Sequence, residues 1–436
     1  MAVFYDGEMT VEVGLRGSEQ ECATAVVTVT RRATDQLRAG HLWVYRSEVQ
    51  GFGAAGQGRS TEVGEPKPGA LVTVVDSRGI PLGTALYSMG SQIALRIVSG
   101  APGVGREAYL EEVRRRVAAA IALRGELAPT SEGNDARRLI FSEADSLPGI
   151  VADQYGDVVV VQLLVQGTAR ADVRAVVGEG LSAVFPHGLG TVWERTDSRI
   201  REIEGLGAGP DAPMWSAGEL RSESTFAING VRFHYDVSAG QKTGAFLDQR
   251  LNYQVATEYA HGRALDICTY QGGFALHLAR RCGLVTGVDT SRAALEVADR
   301  NLELNRGRVQ GAVEWIEADA FALMRAYDEA GERFETIVLD PPAFAKTKRA
   351  TESALRGYKE LNLRAMRMLS PGGTLVTCSC SHHVSLEEFL AVLGSAAVDG
   401  GRRVQVLETR GAAPDHPAIL TLPETGYLKC VICRVG

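Results

Sequence analysis

From about residue 240 to the C-terminus, short apolar runs alternate with amphipathic stretches, and this succession constrains the fold more than any other feature. The runs cover 264–268, 284–289, 313–319, 336–340 and 374–380. Helical patterns such as 293–305 and 358–369 separate them. Near-continuous apolar strands are those buried on both faces, and crossover helices supply the cover. The pattern predicts an α/β domain with a doubly wound, mostly parallel sheet. Any ligand should then sit at the C-terminal ends of the strands.

The first half reads differently. Short alternating runs at 26–30, 71–75 and 93–98 are divided by Gly-, Ser- and Pro-rich turns, as expected of a small β-barrel module over residues 24–98. A charged helix over 107–127 follows, then an α+β stretch with strand-like 158–165 and 191–194, giving a central domain over 99–213. Residues 1–23 show no clean periodicity and carry one arginine against five acids, an acidic extension. The formal net charge of −7 argues against binding nucleic acid by bulk electrostatics. Residues 24–98, however, carry eight basic residues against five acids, a balance compatible with a specific RNA partner.

No run of 18 apolar residues is present, so no membrane span is expected. The N-terminus lacks the basic start and apolar core of a signal peptide. Seven scattered cysteines, an odd number, suggest reduced thiols in the cytoplasm. Cys430-x-x-Cys433 lies in an apolar run, 427–433, that reads as a final buried strand. No second ligand pair has suitable spacing, so no metal site is expected.

The strand ends carry the chemistry. Asp266 precedes a loop with Gly272 and Gly273, small enough for a ligand to approach the backbone. Asp289, about 20 residues on, suits the two hydroxyls of a ribose. Asp319, followed by Ala320 and Phe321, suits an adenine amine and its ring, and Asp340 ends the fourth run before Pro341 and Pro342. A single such acid most often caps the helix after its strand. A series of them favours a cationic ligand, and the GxGxxG fingerprint of dinucleotide binding is missing. The expected cofactor is S-adenosylmethionine.

Further motifs narrow the reading: Gly40-His41-Leu42-Trp43-Val44-Tyr45, Ser142 to Gly149 (SEADSLPG), Gly240 to Arg250 (GQKTGAFLDQR), Asp340-Pro341-Pro342, and Pro423-Glu424-x-x-Tyr427-Leu428-Lys429. With them the chain resembles the class I, PUA-domain-bearing methyltransferases that form 5-methylcytosine in bacterial large-subunit ribosomal RNA. The likeness runs from about residue 25 to the end. It implies a PUA-like β-barrel, a central α+β domain and a Rossmann-like methyltransferase domain over 214–436. It also implies that Asp248 and Arg250 help hold S-adenosylmethionine, that ribosomal RNA is the partner, and that a homodimer is possible.

In such enzymes a cysteine thiolate adds to C6 of cytosine and a carboxylate supports the ring nitrogen. The resemblance assigns these roles to Cys380, seven residues after Gly373, and to Asp340. Cys378 shares the strand face of Cys380 one step earlier and is expected to pack the sheet. Lys346, Lys348 and Arg349 are candidates for phosphates beside the target base, with a solvated loop the bland alternative. Arg46, with His41 and Tyr45, is a candidate RNA contact, whereas Trp43 and Val44 are expected in the barrel core. His382 and His383 read as loop residues near RNA. Many RNA cytosine-C5 methyltransferases carry a second cysteine near the motif-four proline. Pro341-Pro342-Ala343-Phe344 has none, which leaves the base for β-elimination unassigned. The rival functions are an N-methyltransferase acting on a purine and a non-catalytic RNA-binding ribosome assembly factor.

Overall fold

The structure, a computed structural model, describes residues 25–54, 64–185, 189–238, 244–345 and 347–436. The acidic stretch 1–23, residues 240–243 and Lys346 lie outside the described residues. Six short strands rich in β-branched residues form the first sheet: β1 (Ala25–Val29), β2 (Trp43–Tyr45), β3 (Val49–Ala54), β4 (Leu71–Val75), β5 (Pro81–Tyr87) and β6 (Ile93–Ser99). Their order is β2-β6-β5-β4-β1-β3. Helix α1 (Arg31–Arg38) starts where the Thr30 hydroxyl accepts the Ala33 N–H. Val44 joins this core. Trp43 does not: it is half-buried, and its indole N–H donates to Glu143 of the next domain at 2.9 Å. A Trp needs a partner for its N–H, and here Glu143 supplies it from outside the first sheet.

Helix α2 (Arg106–Leu127) leads into a second sheet of β7 (Ala136–Phe141), β8 (Ile150–Tyr155), β9 (Val158–Leu163), β10 (Gly190–Glu194) and β11 (Ala212–Ala217), with α3 (Ala171–Ser182) and α4 (Ser198–Glu204) attached. A hairpin of β12 (Glu223–Ile228) and β13 (Val231–Asp236) packs beside it. Then come α5 (Arg250–Tyr259), β14 (Arg263–Ile267), α6 (Gly273–Leu278), β15 (Leu284–Asp289), α7 (Arg292–Leu304), β16 (Ala312–Glu317), α8 (Ala320–Ala330), β17 (Phe334–Leu339), α9 (Thr351–Met368), β18 (Leu369–Ser379), α10 (Leu386–Asp399), β19 (Val404–Arg410) and β20 (Lys429–Val435).

The seven-stranded sheet has the order β16-β15-β14-β17-β18-β20-β19. β14 to β18 pair in parallel, and β20 runs antiparallel to both neighbours. The strand order reverses between β14 and β17, and a crevice at such a switch point is where open α/β sheets bind ligands. Alternation sends Val338, Val376 and Cys378 to one core, and Leu339, Ile337 and Leu375 to the other. Cys378 is therefore fully buried opposite Cys430, as packing required, while Cys380 lies just past the strand and is half-buried. No described helix is long and apolar enough to cross a membrane.

Candidate active site

One cavity of about 290 Å³ opens at the switch point. Asp248, Asp289, Asp340, Cys380 and Tyr427 line it together with the turn after β14. That turn is strained: Cys268 and Tyr270 adopt left-handed φ of 65° and 52°, values rare for residues with a side chain. The strain brings the Tyr270 amide to Asp289 Oδ2 at 2.9 Å. Asp289 Oδ1 accepts the Ser291 amide at 2.9 Å, which leaves lone pairs on both oxygens for hydroxyl donors. Gly273 and Gly287 keep the floor thin, since a Cβ on either would come 2.7 Å from Tyr253 or 2.5 Å from Trp315.

Asp266 is buried beneath this turn. Its Oδ2 accepts the Thr269 hydroxyl at 2.6 Å and the Ala275 amide at 2.9 Å, whereas Oδ1 is buried with no hydrogen-bond partner. Burial, with the Asp289 charge adding, pushes its carboxyl up to about 7. An orphaned buried carboxyl oxygen invites a cationic donor, and the ammonium and sulfonium of S-adenosylmethionine supply positive charge. Asp266, Asp289 and the glycine-lined turn fit that molecule.

The other half of the cavity gathers Asp248, Asp340, Cys380 and Tyr427. Burial first, then the charges of Asp248 and Asp266, raise the Asp340 carboxyl to about 8, so it carries a proton at neutral pH. The Cys380 thiol lies against the Pro341 carbonyl at 3.8 Å. Tyr427 donates its hydroxyl to Asp248 Oδ2 at 2.5 Å, and burial followed by the Asp248 charge holds that phenol neutral. The Asp248 carbonyl accepts the Ala413 amide at 2.8 Å. The loop carrying Ala413 is anchored by Asp415, which is fully buried. Its carboxylate accepts the Arg138 backbone N–H at 3.0 Å, Arg250 Nε at 3.3 Å and His416 Nδ1 at 3.2 Å. Arg124 donates to the Asp415 carbonyl at 3.0 Å and pairs with Asp145 at 2.5 Å. The central domain thus braces one wall of the cavity.

Asp248, Asp266, Gly273, Asp289, Asp340 and Cys380 converge at or directly beneath this cavity. Gly272 sits one step behind, opening α6 with a left-handed φ of 85°. Asp319 does not line the cavity; its carboxylate caps α8 by accepting the Ala322 amide at 2.9 Å. Arg250 turns away to Asp415. Arg46 is engaged within its own domain by Tyr87, Ser88 and Ser91, and Lys348 is exposed in the turn Lys348–Ala350 before α9. Tyr427 and Asp415 were not anticipated as site residues, because their partners are distant in sequence.

A model of S-adenosylmethionine-dependent methyltransferases matches residues 192–421, and a PUA-like domain model matches residues 27–100. The chain is 39% identical over 397 residues to the ribosomal RNA large subunit methyltransferase I of Erwinia tasmaniensis, covering 91% of this chain and 95% of that protein. It is 36% identical to the protein of that name from Photobacterium profundum, covering 94% and 100%. Among solved structures, a SAM-dependent methyltransferase from Streptococcus mutans shares the fold at a TM-score of 0.75 and 18% identity, covering 94% of this chain and 99% of that one. The methyltransferase SMU.776, solved with SAH, gives a TM-score of 0.76, also at 18% identity, covering 94% and 99%. The chain belongs to the family of S-adenosylmethionine-dependent methyltransferases whose curated members carry the name ribosomal RNA large subunit methyltransferase I.

Proposed function

We propose that this protein methylates C5 of a cytosine in large-subunit ribosomal RNA through a covalent Cys380 adduct. The observation that carries the reading is one cavity lined by both a thiol, Cys380, and a carboxyl, Asp340, that burial raises to about 8. The relatives' names support the RNA class. When bound, S-adenosylmethionine supplies an electrophilic methyl group. The Cys380 thiolate forms a bond to C6, and the displaced π pair moves toward C5 and N3. Asp340 donates its proton toward N3, which carries the developing charge. After C5 is substituted, its proton leaves to a base, the pair restores the C5–C6 double bond, the thiolate departs, and the N3 proton returns to Asp340. Asp266 and Asp289 hold the cofactor in this scheme; Asp248 positions Tyr427 at the cavity wall. Lys346, Lys348 and Arg349 remain the proposed phosphate contacts.

The purine N-methyltransferase reading wants an aromatic ring at the motif-four turn, offered to the base. Phe344 instead packs inward, with ring centroids 4.8 Å from Tyr358 and 5.9 Å from Phe321. The deciding experiment is Cys380→Ser assayed on ribosomal RNA from cells lacking the protein, with 5-methylcytosine read by mass spectrometry. The covalent route requires loss of the mark and of any trapped RNA adduct. Full activity in this variant would sink it. Failure of the wild type to bind S-adenosylmethionine would favour the non-catalytic assembly factor.

A further inference from the structure

A thiol surrounded by carboxyls is poorly placed to ionise, because each negative charge nearby disfavours a thiolate. Asp248 and Asp340 share the Cys380 cavity, and Tyr427 and Tyr358 both feel the charge of its sulfur. A covalent mechanism needs a compensating cation. Lys429 opens β20 directly opposite Ser379, the last residue of β18, and is only 8% exposed. Its side chain runs to the end of the strand, where the ammonium donates to the carbonyls of Ser381 and Tyr427, both at 2.7 Å. The first carbonyl belongs to the residue after Cys380, the second to Tyr427, two residues before Lys429 itself.

We propose that Lys429 is a positioning residue for the nucleophile, fixing the end of β18 and holding Cys380 toward its thiolate form. This rests on the covalent reading above. Burial lowers the Lys429 ammonium to about 8, and the attraction of the Cys380 sulfur is the largest effect opposing that fall, followed by Glu388. Coupling between two ionising groups is reciprocal, so the ammonium that Cys380 favours must in turn favour the thiolate. Facing this pair are Asp340 and the Pro341 carbonyl after β17, Asp248 before α5, Tyr358 of α9, Glu388 of α10, Tyr427 before β20, and His382 beside Cys380. Lys429 is the ammonium among them, and the Arg138 guanidinium, paired with Asp153, also acts on Tyr427 and Asp248. Glu388 is itself engaged by the Ser385 amide and hydroxyl, which leaves the lysine's charge directed at the strand end.

The test is the pH dependence of Cys380 alkylation by iodoacetamide, read on the Cys380 peptide by mass spectrometry, with no RNA or cofactor present. The wild-type thiol should titrate below the ordinary value of about 8.5. Lys429→Met should slow alkylation at pH 7 by about tenfold, one unit of thiol pKa. Lys429→Arg should restore most of the loss. A Lys429→Met profile that superposes on the wild type would overturn the proposal. So would a wild-type thiol that titrates at or above the ordinary range, a result that needs no variant to fold. Binding of S-adenosylhomocysteine by Lys429→Met reports that its cavity is intact. If Cys380→Ser still methylates RNA while the alkylation shift appears, the Lys429–Cys380 coupling stands and only the covalent reading falls.

Discussion

Replacing Asp340 by Asn should make the cofactor-free protein more stable and nearly inactive, and the stability gain should depend on pH in a defined direction. The Asp340 carboxyl rises from 3.8 to about 8 in the folded chain, chiefly by burial and then by Asp248 and Asp266. Between those values the folded state binds a proton that the unfolded state has released, so stability falls as pH rises. The contribution is fully present below about 4 and lost by about 8. At pH 7 the span is about three units, or roughly 4 kcal/mol at ~1.4 kcal/mol per unit. A folded value near 8 requires that whole span, so a much smaller loss would leave Asp340 ionised at pH 7. Asn carries no such dependence. For a domain of this size ~4 kcal/mol corresponds to about 8–16 °C in melting temperature. Thermal melts from pH 4 to pH 8 should therefore show the two proteins together at the acid end and Asn ahead by several degrees at the alkaline end. Methylation should fall by about 10²-fold or more, because an amide cannot pass a proton to N3. Parallel melting curves across the whole range would refute the claim that Asp340 is held as a neutral acid.

Asp266→Asn should weaken S-adenosylmethionine binding by about tenfold to a hundredfold in calorimetry, because it removes the charge from the orphaned buried oxygen while keeping the Thr269 and Ala275 contacts. Asp415→Ala should destabilise the protein by about 3–5 kcal/mol in urea unfolding at pH 7, since it strands the buried Arg250 guanidinium. The sign for Asp415 is opposite to that for Asp340. Although burial opposes it, hydrogen bonding and attraction from His416 with Arg250 lower the carboxyl to about 2, so its contribution is present above about 4 and lost as pH falls through about 2.

Asp289, Asp340 and Cys380 were legible in the sequence because each ends an apolar run, and Asp266 because it precedes the glycine loop after the first run; parallel strands point their C-terminal ends at one crevice. Position at a strand end does not fix where a side chain turns. Asp319 has the same placement, yet its carboxylate reaches the Ala322 amide of its own helix, a local bond that competes with any ligand. Arg250 follows Asp248 by two residues, but the turn Leu247–Gln249 leads into α5 and sends the two side chains apart, one to the cavity and the other to Asp415. Tyr427, Asp415 and Lys429 gain their roles from residues far along the chain, and no period or short motif encodes such pairings. The left-handed turn at Cys268 and Tyr270 was hidden for another reason, because neither residue type announces a positive φ.

The cavity faces an electrostatic conflict that explains why these distant residues are present. Acids suit a cationic cofactor, yet the same acids oppose the thiolate that the proposed attack on cytosine requires. Each carboxyl nearest the thiol is quietened in its own way. Asp340 keeps a proton, and Asp248 takes a hydroxyl from Tyr427. The Tyr427 carbonyl then helps hold the Lys429 ammonium, so one residue links the muted acid to the cation behind Cys380. Removing the charge of Asp248 and removing the charge of Lys429 should therefore move thiol reactivity in opposite directions. A cavity arranged only to bind the cofactor would have no need of that opposition.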